Sequence, residues 1–139
     1  MKILLTGGAG FVGSNVYKFL SGKNHNITVM DNMKTGSTKN LPKNVKLLNI
    51  DCSDENILNI NETFDCIIHI AGQASKEGSF DDVLYDLNAN TKSTLVLLEF
   101  AKKIKCTRFI FISTVCIYGG TANPGIYNES NDVNYDTFY

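Results

Sequence analysis

Lys2-Ile3-Leu4-Leu5-Thr6-Gly7-Gly8-Ala9-Gly10-Phe11-Val12-Gly13, at the head of a 139-residue chain, decides the fold. A short apolar run ends in glycines at Gly7, Gly10 and Gly13, and a helical pattern begins at Gly13. The pattern spells strand, tight turn and helix N-terminus, the geometry that holds a dinucleotide pyrophosphate against backbone amides. Gly7 serves the sharp turn, Gly10 the approach of backbone to phosphate, and Gly13 the packing of helix on strand.

A second motif supports the first. Ile27-Thr28-Val29-Met30-Asp31 reads as a strand with an acid at its C-terminal end, 18 residues after Gly13. That spacing is close to the roughly 20 residues expected for the carboxylate that accepts hydrogen bonds from the adenosine ribose hydroxyls. A carboxylate there repels a 2′-phosphate, so the pair of motifs predicts NAD as cofactor in preference to NADP.

Strand and helix alternate along the chain. Strands are predicted at 2–6, 27–31, 45–49, 65–70 and 107–112, and helices at 13–21, about 53–59 and, as one long element, near 80–104. Cys66-Ile67-Ile68-His69-Ile70 and Phe109-Ile110-Phe111-Ile112 are apolar without alternation, as strands buried on both faces are. The expected fold class is α/β, a Rossmann-like doubly wound parallel sheet of order 3-2-1-4-5. In the long helix Val83, Leu84, Leu87, Leu95, Leu98 and Ala101 follow one face, and Val96, Leu97, Phe100 and Ile104 a second. A helix apolar on two faces needs two covers, the sheet and either another helix or a second subunit.

Composition bounds the partners. A formal charge of −1 argues against a nucleic-acid or membrane-surface partner. No apolar run approaches the ~20 residues of a membrane span, and no signal peptide is visible. Cys52, Cys66, Cys106 and Cys116 form no C-x-x-C pair and read as reduced, buried thiols of a cytoplasmic protein. No cluster has metal-ligand spacing, so no metal is expected. His69 reads as a packed core histidine, His25 as a solvated turn residue, and Asp81, Asp82 and Asp86 as helix-dipole partners.

Taken together the motifs carry a family likeness. The chain resembles the extended short-chain dehydrogenases/reductases, and among them the NAD-dependent nucleotide-sugar epimerases of the UDP-glucose 4-epimerase type. The resemblance runs from Lys2 to Tyr139. It rests on the glycine turn, Asp31-Asn32-Met33-Lys34-Thr35-Gly36-Ser37, Asp51 after the third strand, His69-Ile70-Ala71-Gly72-Gln73, Asn90 through Thr94, and Ser113-Thr114-Val115-Cys116-Ile117-Tyr118-Gly119.

The resemblance implies roles. Backbone amides at Phe11 and Val12 would meet the pyrophosphate. Asp31 and Asn32 would hold the adenosine ribose, Asp51 and Cys52 the adenine. Ala71, Gly72 and Gln73 would line the path to the nicotinamide, and Asn90 would steady the site. Thr114 falls at the catalytic Ser/Thr position. Tyr139, ten residues after Glu129, falls at that of the catalytic tyrosine. In the family a tyrosine phenolate takes a sugar hydroxyl proton while hydride passes to the cofactor. A lysine four residues on helps bring the tyrosine pKa from about 10 toward neutrality. Family dehydratases place Asp-Glu after the catalytic threonine, and decarboxylating members keep the Glu. Here Val115 and Cys116 stand there, which favours epimerase or reductase chemistry.

The chain ends at Tyr139, before that lysine, the later strands and the family's C-terminal substrate domain. Residues 1–139 are therefore expected to be one incomplete NAD-binding domain that binds NAD but does not turn over its substrate, a nucleotide sugar such as a UDP-hexose. A homodimer through the 80–104 helix is also expected. A non-catalytic NAD-binding module and a nucleotide-sugar reductase remain as alternatives.

Overall fold

The computed structural model describes residues 1–118 and 128–133. β1 (Lys2–Thr6), α1 (Phe11–Ser21), β2 (Asn26–Met30), β3 (Lys46–Leu48), β4 (Cys66–His69), α2 (Lys76–Asp81), α3 (Val83–Leu87), α4 (Ser93–Lys103) and β5 (Phe109–Phe111) follow in order. The five strands form one sheet of order β3-β2-β1-β4-β5, and every pairing is parallel. This is the expected doubly wound order. It places the C-terminal ends of β1, β2 and β4 together at one edge, where the crossover reverses and ligands bind in such sheets.

The pleat sorts β1 into two cores. Leu4 faces Met30, Ile57, Phe64, Ile67, Leu97 and Phe100. Ile3 and Leu5 face the opposite side with Ile27, Val29, Cys66 and Ile68, against which Val16, Tyr17 and Leu20 of α1 pack. With α4 on one side and α1 on the other, the central strands lose both faces to helices, which is why their sequences do not alternate. Lys2 and Lys46 tie β1 and β3 at the opposite edge through Glu62, at 3.0 and 2.7 Å.

Four expectations need correction. The long helix is not continuous from 80. Asp82, at φ −140° and ψ 78°, ends α2, and its side chain caps α3 by accepting from the Tyr85 amide at 2.9 Å. A π-helical turn at Asn88–Lys92 then joins α3 to α4. The turn from 53 is a short 3-10 helix at Glu55–Asn59. The last predicted strand is reduced to Phe109–Phe111, and its Ile110 and Phe111 are exposed, because among the described residues β5 pairs only with β4. Of the four thiols, Cys52 and Cys66 are buried, whereas Cys106 and Cys116 are half-buried; all four are free.

Candidate functional site

The glycine turn is built as its spacing demands. Gly7 adopts φ +66°, a conformation side chains resist, and an added Cβ would lie 2.7 Å from the Ala71 amide nitrogen. The β1 and β4 loops therefore cross at backbone distance. At Gly13 an added Cβ would lie 2.1 Å from the Gly7 carbonyl oxygen, so only glycine lets α1 start against this turn. Among the described residues no side chain caps α1 at Gly10, so the first helical amides are left for an external acceptor.

Asp31 closes the turn from the side. Buried at the end of β2, its Oδ2 accepts from the Ala9 amide at 2.9 Å and its Oδ1 from the Met33 amide at 2.9 Å. A carboxylate oxygen accepts more than one hydrogen bond, so both retain capacity for hydroxyl donors. Next to it Asn32 Nδ2 donates to Asp51 Oδ2 at 2.7 Å, and Asp51 Oδ1 accepts from the Ser53 amide and hydroxyl. Burial would raise the Asp51 carboxyl, but these hydrogen bonds and the nearby Lys34 charge hold it below its ordinary value. Burial, with the charge of Asp51, pushes the Cys52 thiol up to about 12, so it stands as a neutral wall and not a nucleophile.

These residues surround one groove of about 280 Å³. Eleven of the predicted cofactor residues line it: Gly7, Gly10, Phe11, Val12, Gly13, Asp31, Asn32, Asp51, Cys52, Ala71 and Gly72. Gln73 and Asn90 are not on its wall. They stand behind it, where the Gln73 amide donates to Asn90 Oδ1 at 2.8 Å and Asn90 Nδ2 donates back to the Gln73 carbonyl at 3.1 Å.

Sequence reading missed two contributors. Asp86 is not a solvated helix-dipole partner. It is buried, and its Oδ1 accepts from Gln73 Nε2 at 3.2 Å and Asn90 Nδ2 at 3.1 Å. Its spacing of four from Asn90, on one helical face, was the available signal. Tyr85 lines the same groove as Asp31, and nothing in its neighbours distinguished it. Thr114 Oγ1 accepts from the Cys116 amide at 3.2 Å. Glu129 is exposed, and Tyr139 lies outside the described residues. Among the described residues no three His, Cys, Asp or Glu side chains group as a metal site, and no helix is long and apolar enough to cross a membrane.

The NAD dependent epimerase/dehydratase family model matches residues 3–139. The chain belongs to that family. It is 29% identical over 135 residues to a putative UDP-glucose 4-epimerase of Methanocaldococcus jannaschii, covering 95% of this chain and 44% of the relative. It is 32% identical over 136 residues to UDP-glucuronic acid decarboxylase 1 of Danio rerio, covering 94% and 31%. The crystal structure of the UDP-glucose 4-epimerase of Thermus thermophilus in complex with NAD superposes with a TM-score of 0.91 at 31% identity, over 100% of this chain and 46% of that one. The chain thus spans under half the length of these relatives.

Proposed function

We propose that the groove binds NAD and that the chain is the cofactor-binding part of a nucleotide-sugar epimerase acting on a UDP-hexose. The observation that carries the reading is Asp31. Its carboxylate is fixed by the Ala9 amide beside the glycine turn, facing the groove with acceptor capacity to spare. The Thermus relative, a complex with NAD, supports the same cofactor here. The cradle also fits the group: at Gly10 an added Cβ would meet, among the described residues outside its chain neighbours, the Gly7 carbonyl oxygen alone within 4 Å, at 3.3 Å, so the backbone faces space that a side chain would fill.

The proposed roles follow from the positions. The Phe11 and Val12 amides, at the start of α1, hold the pyrophosphate. Asp31 and Asn32 hold the ribose, and Asp51 and Cys52 border the adenine. Ala71 and Gly72, kept in place by Gln73 and Asn90, line the way to the nicotinamide. When bound, NAD supplies the hydride acceptor. Thr114 donates its hydroxyl proton to the sugar oxygen, and Tyr139 takes the proton of that hydroxyl. The chemistry NAD would supply is removal of a hydride from the sugar and its return to the other face, and Tyr139 would give the proton back to the same oxygen on that return. The Asp-Glu pair of dehydratases is replaced by Val115 and Cys116, which supports epimerisation over elimination; a reductase shares these features.

A substrate domain and a lysine four residues past Tyr139 belong to this proposal. So do a cytoplasmic location and a homodimer through α3 and α4. The experiment is calorimetric titration of the 139-residue chain with NAD and NADP, beside an assay of UDP-glucose and UDP-galactose interconversion. NAD binding stronger than NADP binding, without turnover above a Tyr139→Phe control, is the expected result. Absence of NAD binding overturns the cofactor reading, and turnover by the 139 residues overturns the need for the lysine and second domain.

A further inference from the structure

The loop after β2 carries a cation close behind the acid that faces the ribose. Lys34 stands three residues beyond Asp31. Its amide donates to Asn32 Oδ1 at 3.0 Å, and Met33 before it sits at φ +60°, so the backbone at this point follows a defined turn. A cation here is the chemical type that accommodates a 2′-phosphate, and it works against the discrimination that Asp31 provides. The Lys34 ammonium, however, lies 3.1 Å from the centre of the Tyr85 ring. Tyr85 comes from α3 and lines the same groove as Asp31, Asn32 and Asp51.

We propose that Tyr85 is a specificity-determining residue: by docking the Lys34 ammonium on its ring face it withholds that cation from a 2′-phosphate and leaves Asp31 to set the preference for NAD over NADP. The proposal rests on the cofactor reading above.

The ring is well placed to do this. The Tyr85 amide is bonded to the Asp82 cap, and the following residue, Asp86, is buried and held by Gln73 and Asn90. Neighbours on both sides thus fix the ring's position. Burial, then the charges of Asp51, Asp82 and Asp31, push the phenol pKa up, with an Asn32 hydrogen bond opposing, so the ring stays neutral at working pH. The Lys34 charge is felt by Asp51, so the ammonium is balanced by this wall of the groove. An exposed cation–π contact shifts an equilibrium by about two- to fivefold, which sets the size of the effect.

The test measures dissociation constants for NAD and NADP by calorimetry on the wild-type chain, Tyr85→Leu, Tyr85→Gln, Tyr85→Phe, Lys34→Ala and the Tyr85→Leu/Lys34→Ala pair, with melting temperatures recorded for each. The NADP-to-NAD ratio of dissociation constants should fall about fivefold in the two ringless variants and stay within about twofold of wild type in Tyr85→Phe and Lys34→Ala. The pair should return to the Lys34→Ala ratio. A structural role for Tyr85 alone would weaken both cofactors together and leave the ratio unmoved, which overturns the proposal. A ratio that falls equally in the pair also overturns it, because Lys34 is then not the agent. If the wild type binds no NAD, the cofactor reading fails and this inference with it. A wild type that binds NAD with a ratio indifferent to Tyr85 sinks the inference alone.

Discussion

The Thr6 hydroxyl and Nδ1 of His69 meet across 2.8 Å inside the protein. The same oxygen accepts from the Ile70 and Ala71 amides, each at 3.2 Å. A neutral ring that accepts from Thr6 at Nδ1 carries its proton on Nε2. His69 Nε2 faces Thr94 Oγ1 at 3.1 Å and Ser93 Oγ at 3.3 Å, and both hydroxyls are already donating, to the Asn90 and Ala89 carbonyls. The chain of bonds joins the end of β1, the loop lining the groove and the start of α4, and it works only with a neutral imidazole.

This network predicts acid sensitivity. Thr6, Ser93, Thr94 and the rings of Phe109 and Phe111 surround the imidazole. Burial lowers its pKa to about 4. The unfolded chain takes up the proton near 6.5 and the folded chain only near 4, so this contribution is complete above pH 6.5 and is lost as pH falls toward 4. The loss reaches about 3 kcal/mol. Denaturant titrations from about pH 7.5 to about pH 4.5 on wild type and His69→Gln should show the wild type losing more stability on acidification. Parallel curves would show that His69 is not the group responsible.

Asp31→Ala should affect folding as well as cofactor choice. It strands the Ala9 amide beside the turn and removes the Met33 contact, at about 2 kcal/mol. The difference between NAD and NADP affinities should narrow at the same time. A variant with unchanged melting temperature would mean that the turn holds its shape without the carboxylate.

How far this site was legible in the sequence depends on which physics set each part. The glycine turn and Asp31 follow from steric and charge requirements that only particular residue types meet, so they could be read directly, as could the parallel, doubly covered sheet that the non-alternating β4 implies. Asp86 and Tyr85 escaped because their roles come from tertiary contacts with Gln73, Asn90 and Lys34, which no local pattern encodes. The break at Asp82 escaped for a related reason: an acid at a helix start looks the same whether it caps the helix or merely favours its dipole. Val96 and Phe100, on the second apolar face that the sequence predicts for the long helix, are buried in α4 beyond the π-helical turn.

Asp86→Ala should loosen the groove wall without touching it. The change leaves the Gln73 and Asn90 side-chain amides short of an acceptor inside the protein, at about 1–3 kcal/mol. Hydrogen exchange at Gln73 should accelerate, and NAD affinity should fall. Exchange no faster than wild type would show that the pairing of Gln73 with Asn90 is sufficient by itself.

Thr28→Val should stabilise the chain. Thr28 is buried in β2, and among the described residues its Oγ1 has no hydrogen-bond partner. Valine keeps the shape and removes an unmet polar group, a gain of about 1 kcal/mol or more. The melting temperature should rise by several degrees. A fall would reveal that the hydroxyl is satisfied in solution.

The last expectation concerns the outer face of α3 and α4, where we propose the homodimer contact. Leu84, Leu87, Leu95 and Leu98 are 72%, 52%, 58% and 44% exposed and recur at helical spacing. The inward face, with Val96, Leu97, Phe100 and Ala101, is already buried against the sheet, so only the outer stripe needs a cover. Burying a leucine contributes about 1.5–3 kcal/mol, so four of them in a symmetric contact are enough to hold two chains together at micromolar concentration. Sedimentation should show association that weakens at least tenfold in Leu95→Lys, and melting temperatures should rise with protein concentration in the wild type alone. A monodisperse wild-type monomer with a concentration-independent melting temperature would remove the dimer from this face.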